Sequence, residues 1–396
     1  MNQKLGQYAA DLDRHVGDSE VLRALEAWAQ DQSLAVDVPG VPWRRRGGSG
    51  ALLVRLQITS SRRAAKPTDT LMKVCAQGSP ANEPENHERA WLNAPAFAGQ
   101  HLFMQLFPPV AMKDGRTIMF LESPKAFLDA RTLGELPTTL QREAATATIR
   151  LVFREWNNPG SLRRITTSAR SFIRLELGCT PQEDDAAGTR IGQTGPSYTQ
   201  SDAADPVIQV GMLPSGLLQR LAGRSHLRAR SVEYISGHSH GDLHLDNILV
   251  PPTMDPKVTA HDIRLIDLSG YNPSAPLSRD LAALLLSSVL SAVRDGMPDS
   301  QSKALTHALL KESPTVTSAA DESTSTLTVQ AIRAAAVGCL DPFHRQIFHK
   351  QYLLSLLSQS LLYTSYSNVG RSGHHWYLNL GARAADAYTE AQPYSK

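Results

Sequence analysis

The sequence predicts an α+β chain, in which a small sheet-bearing unit is followed by a larger, mainly helical one. Three observations lead there. The strand-like runs ALLVRLQIT, TLMKVCA and TIMFL all fall before residue 122. Beyond 122 the apolar spacing turns mostly helical. A length of 396 residues also exceeds the roughly 250–300 at which one hydrophobic core stops growing, so two or three folded units sharing a cleft are expected.

Taken in order, residues 1–40 read as an N-terminal helical extension. Leu5, Leu12, Val16, Val21, Leu22, Leu25 and Trp28 have helical spacing that breaks near Gly17, and linker signals follow between Val38 and Pro42. Residues 41–121 hold the three strand runs with a helical pattern, ENHERAWLNAPAF, between the last two. Residues 122–396 form the helical part. Within it 180–206, TPQEDDAAGTRIGQTGPSYTQSDAADP, is polar and turn-rich, as expected of a mobile insertion, and 312–327 is a lesser one. There is no internal repeat and no heptad run.

Composition excludes several classes. With 41% hydrophobic residues, 20% charged and a net charge of +2, neither nucleic acid nor an anionic membrane is the default partner. Residues 43–66 carry seven Arg or Lys and no acid, which reads first as a solvated basic surface and second as a phosphate or polyanion contact. Cys75, Cys179 and Cys339 lack the paired spacing of zinc sites or disulfide frameworks, so a reducing cytoplasm is expected. The first thirty residues hold no signal-peptide core. LAALLLSSVLSAV, at 281–293, is too short and serine-rich to span a bilayer and reads as a buried helix.

The chemistry concentrates in SGHSHGDLHLDNILV, residues 236–250. If the stretch were one strand, His238, His240, Asp242 and His244 would share a face and could bind metal. HSHGDLH approaches the HxHxDH signature of metallo-β-lactamases, but Leu243 follows Asp242 and the histidine arrives one position late. His344, His349 and His374 would have to supply further ligands.

A second reading accounts for more positions. Phosphoryl transfer needs a carboxylate that orients the acceptor, oxygen ligands for Mg²⁺, a cation on the phosphates and a cover against water. In HGDLHLDN, Asp242 would accept the acceptor's hydroxyl proton and Asn247 would offer an amide oxygen to Mg²⁺. Asp267 ends the apolar run IRLI, where it could hold the metal against the phosphates. The intervening PPTMDPKVTAHD suits a hairpin that pairs ILV with IRLI.

HGDLHLDNIL, LIDLSG and RDLAAL together resemble the aminoglycoside phosphotransferase and choline kinase-like family of the protein-kinase-like superfamily, whose usual pattern is HGDxHxxN, IDxxx, DLA. The resemblance implies a bilobal protein-kinase-like fold, with a small antiparallel-sheet N-lobe and a larger, mainly helical C-lobe. It implies ATP and Mg²⁺ as cofactors. His240 becomes the structural histidine of the motif, His244 takes the place of the lysine common in Ser/Thr kinases, and Asp280 supports the loop. Lys73 takes the place of the strand lysine that meets the α- and β-phosphates. Its helix partner is Glu85 or Glu88, and the nearness of Glu88 to Trp91 favours Glu88. Gly48, Ser49 and Gly50, in GGSG, could lie over the phosphates, and backbone groups of Glu122 and Ser123 could bond the adenine. The match departs at LSG, where an aromatic residue is usual after the metal-binding Asp, and at Asp246, where a small residue is frequent.

The acceptor is less legible. A polycationic aminoglycoside calls for carboxylates, yet residues 281–396 hold eight acids against nine Lys or Arg. Choline calls for an aromatic cage, for which Trp376, Tyr377 and Tyr363 are available. A small hydroxyl compound is expected first and a protein side chain second. Other classes compatible with parts of the sequence are a kinase-like toxin, effector or defence component acting on a macromolecule, a pseudokinase that only binds, and a metallohydrolase built on the histidines.

Overall fold

The computed structural model describes residues 11–39, 44–46, 51–60, 66–75, 83–124, 127, 129–158, 160–177, 231–252, 259–312 and 323–391. The chain divides into two compact units. One comprises Met1–Ala130 with Leu249–Pro252 and Arg264–Ser269; the other comprises Arg131–Ile248 with Thr253–Ile263 and Gly270–Lys396.

In the first unit, apolar and polar residues alternate along β3 (Leu52–Ser60), so every second side chain is buried. β3 pairs antiparallel with β4 (Thr68–Cys75), which pairs antiparallel with β6 (Thr117–Glu122). The six-stranded sheet is completed by β1 (Leu34–Asp37), β2 (Arg44–Arg46) and β5 (Gln105–Ala111). Between β4 and β5 lie α3 (Glu83–Asn93) and α4 (Pro95–His101). Strand alternation gives the sheet two chemically different faces. Val54, Leu56, Met72, Val74, Ile118 and Phe120 point to one side. Cys75, Met119 and Leu121 point to the other, with Phe103 packed against them.

The first face is covered by a helix including residues 11–16 (α1) and by α2 (Ser19–Asp31). Gly17, at φ +61°, ends α1 in the left-handed conformation that glycine adopts without penalty. Asp18 then caps α2, accepting from the N–H groups of Glu20 and Val21. It also pairs with Arg116 at 2.7 Å, which helps hold its carboxyl down at about 2. Leu12, Val16, Val21 and Leu25 enter the sheet's core, and Trp28 stacks on Phe120 at 4.1 Å. Residues 1–40 read as an N-terminal extension; its described part, α1, α2 and β1, belongs to this unit, because its apolar stripe packs on the sheet.

The second unit is built around α7 (Ser278–Arg294), buried along most of its length, as LAALLLSSVLSAV predicts. Four further helices in this unit are α5 (Thr138–Leu151), α6 (Ala169–Glu176), α8 (Asp299–Leu310) and α9 (Thr324–Cys339). The last two are α10 (Pro342–Tyr363) and α11 (Gly370–Glu390). The helical reading missed a sheet here. β8 (Arg163–Ser168), β9 (Ser231–Ser239) and β12 (Asn272–Pro276) are joined antiparallel with β9 central. β7 (Arg131–Thr132) is a two-residue strand. β10 (Ile248–Val250) and β11 (Arg264–Leu265) neighbour each other, the pairing expected of ILV and IRLI.

The insertion at 180–206 lies outside the described residues. Of 312–327, residues 313–322 do too, whereas 324–327 are the first turn of α9, capped by Ser323, whose hydroxyl accepts from Thr326 N–H. No helix among the described residues is long and apolar enough to cross a membrane.

Leu25→Ala should lower the free energy of unfolding by about 2–5 kcal/mol, since Leu25 is fully buried. Urea titration reads the change; an unaltered midpoint would show that α2 is an appendage to the sheet.

Candidate active site

In the second unit, β9 delivers the HGDLHLDN segment and stops at Ser239. A continuous strand through 238–244 was the condition for a four-ligand metal face, and it does not exist. Gly241 sits at φ +86°, and a Cβ there would lie 1.8 Å from the carbonyl oxygen of Gly270. Only glycine satisfies both demands. The loop is clasped by the buried Asp280, in the first turn of α7. One carboxylate oxygen accepts from Ser239 Oγ at 2.9 Å and Gly241 N–H at 3.0 Å; the other accepts from His240 N–H at 2.7 Å. A carboxylate at a helix N-terminus also meets the positive end of the helix dipole.

Past the clasp, Leu243 and Leu245 turn into the core while Asp242 keeps 45% of its side chain exposed. His244 Nε2 lies 3.6 Å from an Asp242 carboxylate oxygen, and its Nδ1 accepts from Asp246 N–H. Asn247, buried, donates from its amide nitrogen to the Asp242 carbonyl at 2.9 Å. That bond orients the side chain and leaves its amide oxygen as an available acceptor. Leu245 N–H donates to Ser287 Oγ on α7, a second anchor. Asp246, the departure from the family pattern, accepts from Thr132 Oγ1 at 3.2 Å.

The first unit carries the remaining charged groups, on the sheet face opposite α2. Lys73 Nζ lies 2.7 Å from a carboxylate oxygen of Glu83 and 3.2 Å from one of Asp267. Burial works against the ammonium, but attraction to Glu83 and then Asp267 outweighs it, so Lys73 is held charged well above the usual lysine range. Cys75 Sγ contacts the other Glu83 oxygen at 3.5 Å; burial and then Glu83 push this thiol far up, so it is the S–H that faces the carboxylate. Asp267 has φ +64°, a left-handed conformation uncommon outside glycine, and such outliers concentrate at functional sites. Asn86 on α3 donates to the Ser269 carbonyl at 2.7 Å, steadying the segment just after it.

Several expectations are corrected. Lys73 pairs with Glu83, not Glu88 or Glu85. The buried stripe of α3 runs through Glu83, His87 and Ala90, leaving Glu85 and Glu88 exposed. The Glu-Pro start of α3 carried the missed signal, because proline in a first turn marks residue 83 as the helix origin. Glu122 N–H donates to the Met104 carbonyl and Ser123 N–H to the Asp69 carbonyl, so neither donor is available to an adenine. Gly48, Ser49 and Gly50 lie outside the described residues.

The histidines do not gather. His238 bonds the Tyr271 hydroxyl at 3.0 Å, and His344 pairs with Asp341. Among the described residues no three His, Cys, Asp or Glu side chains are grouped as a metal ion would require. Two members of the expected aromatic cage are core: Tyr363 and Tyr377 are buried, with ring centroids 4.9 Å apart, and donate to backbone carbonyls of α7, whereas Trp376 is half-buried and donates to Ser302 Oγ at 3.1 Å.

No family model matches the chain, and no curated protein does. Among solved structures it is similar to an ethanolamine kinase from Plasmodium vivax, at 11% identity and TM-score 0.43, over 88% of this chain and 81% of the other. It is similar to the GDP complex of an aminoglycoside 2'-phosphotransferase, at 12% and 0.43, over 93% and 96%. A choline kinase from Cryptosporidium parvum matches at 10% and 0.37, over 94% and 96%.

Behind the loop, Glu176 is fully buried, accepting from Ser355 Oγ at 3.1 Å and Gln359 Nε2 at 3.3 Å. Burial pushes its carboxyl up to about 7 against the opposing pull of Arg279. A folded value above the ordinary 4.5 means the native state binds the extra proton, so stability is full at acid pH and falls as pH rises from about 4.5 through 7. Glu176→Gln should abolish that fall, which amounts to no more than about 3 kcal/mol. Thermal midpoints of both proteins at pH 5 and pH 8 measure it; parallel changes would place the titration elsewhere.

Proposed function

We propose that the chain is an ATP- and Mg²⁺-dependent phosphotransferase that moves the γ-phosphoryl group to a hydroxyl acceptor, most simply a small molecule. The observation that carries this reading is the Lys73 ammonium held between Glu83, on a helix, and Asp267, two residues past β11.

The available ligands fit the cofactor. The Asn247 amide oxygen and the Asp267 carboxylate are hard oxygen donors of the kind Mg²⁺ takes, and both sit in segments pinned by other bonds. When bound, Mg²⁺ would supply positive charge that offsets that of the phosphates. Lys73 supplies a permanent cation for the phosphates, aimed by Glu83, whose second oxygen is engaged by Cys75 S–H. Asp242 receives the acceptor's hydroxyl proton. Its exposure gives an acceptor access, and the Asp280 clasp fixes the backbone of the two residues before it. His240 and Asp280 are positioning residues. Glu122 and Ser123 contribute no N–H donor here. The oxygen-rich set and the scattered histidines support this reading over a metallohydrolase, and retention of Lys73, Asp242, Asn247 and Asp267 supports it over a pseudokinase. Cys75 and Cys339 are unpaired thiols, which fits a cytoplasmic enzyme.

Two variants separate the roles. Asp242→Asn should leave stabilisation by Mg-ATP nearly intact while cutting transfer on the order of 10²–10⁴-fold, and Asp267→Ala should lose both. Label transfer from ATP to acceptors in a cell extract, with thermal shifts alongside, measures them; near-normal transfer by Asp242→Asn removes it as the base. In the same assays Glu83→Gln should weaken Mg-ATP stabilisation and turnover, with Glu88→Gln indistinguishable from the parent. The reverse order would reinstate Glu88.

A further inference from the structure

Away from these residues, the second unit contains a cavity of about 250 Å³ that the phosphotransferase reading does not use. Leu281, Val337, Phe348 and Tyr352 give it apolar and aromatic walls, and Arg333, Arg345, His349 and Glu312 supply its polar groups.

Arg333 is the unusual member. It is 2% exposed and stacks over the Tyr352 ring at 4.8 Å. Its guanidinium donates to the carbonyls of Ala308 and Lys311, where α8 ends. Among the described residues no carboxylate comes within ion-pair distance of it. Carbonyl dipoles satisfy its N–H groups without cancelling its charge, and a buried charge ordinarily has a counter-ion. Arg345, exposed and bonded to the Leu340 carbonyl, adds a second guanidinium to the same lining. Burial and then Arg333 push His349 down to about 4, so it stays a neutral hydrogen-bonding group. The one acid among the described lining residues is Glu312, which is exposed.

We propose that this cavity is a binding site for a small organic anion, a carboxylate on an aromatic or aliphatic body, with the charge toward Arg345 and Arg333 and the body against Phe348 and Tyr352. Its volume exceeds the roughly 150 Å³ known to suffice for benzene. The apolar walls argue against a bare inorganic anion, and a guanidinium with no carboxylate beside it among the described residues argues against a neutral ligand.

The probe is 4-fluorobenzoate, followed by fluorine NMR line broadening against the full-length protein. Saturable binding is expected, weakened roughly tenfold by Arg345→Gln, which removes a charge-assisted hydrogen bond at an exposed position. Val337→Phe, which fills the cavity with an apolar side chain, should abolish it while far-UV circular dichroism stays unchanged. Absence of saturable binding overturns the proposal. Equal binding of 4-fluorobenzyl alcohol overturns it because charge is then not recognised, and equal competition by inorganic phosphate overturns it because the body is not. Unchanged affinity in both variants would place the probe elsewhere and overturn it too.

Discussion

One buried ammonium governs the first unit. Lys73 is 5% exposed, and a lysine so placed survives as a cation only if carboxylates surround it. Glu83 meets it from the first residue of α3, and Asp267, in a left-handed backbone conformation, meets it from two residues past β11. Strand alternation then explains why α1 and α2 cover the opposite face. Met72 and Val74, neighbours of Lys73 on β4, point away from it and leave an apolar surface that must be covered.

In the second unit the corresponding constraint is the carboxylate of Asp280. It gathers three donors from consecutive residues at the end of β9, so the loop's course is set before Asp242 is reached. The close approach of Gly270 completes it by excluding any side chain at 241. The result is a loop whose apolar residues, Leu243 and Leu245, are locked inward while Asp242 remains accessible. The support for Asp242 lies in the backbone donors of the residues just before it more than in its own side chain.

Much of this could be read from the sequence. The HGDLHLDN spacing, the Asp that follows IRLI and the RDLAAL helix are local patterns, since each depends on residues close in sequence, and the helix is present in the structure. The buried helix at 281–293, the break at Gly17 and the β10–β11 pairing were legible for the same reason. What was not legible involved partners far apart in sequence. Periodicity marked α3 as helical but not which of its faces is buried, so Glu88 was favoured where Glu83 is used. The N-terminal helices looked separate because their amphipathic stripe does not say what covers it. The β8–β9–β12 sheet was missed because its strands are scattered between residues 163 and 276.

The sequence by itself determined which groups are present and in what order: a lysine at 73, an acid at 242, an amide at 247 and an acid at 267. It did so because spacing along a strand, a turn or a helix is a local property of the chain. Only tertiary structure decided which carboxylate neutralises Lys73, that Gly241 must be glycine, that the N–H groups of Glu122 and Ser123 are engaged, and that Arg333 is buried with no carboxylate beside it among the described residues. Each of those depends on distances between segments tens to hundreds of residues apart, and these distances exist only once burial has chosen which faces meet.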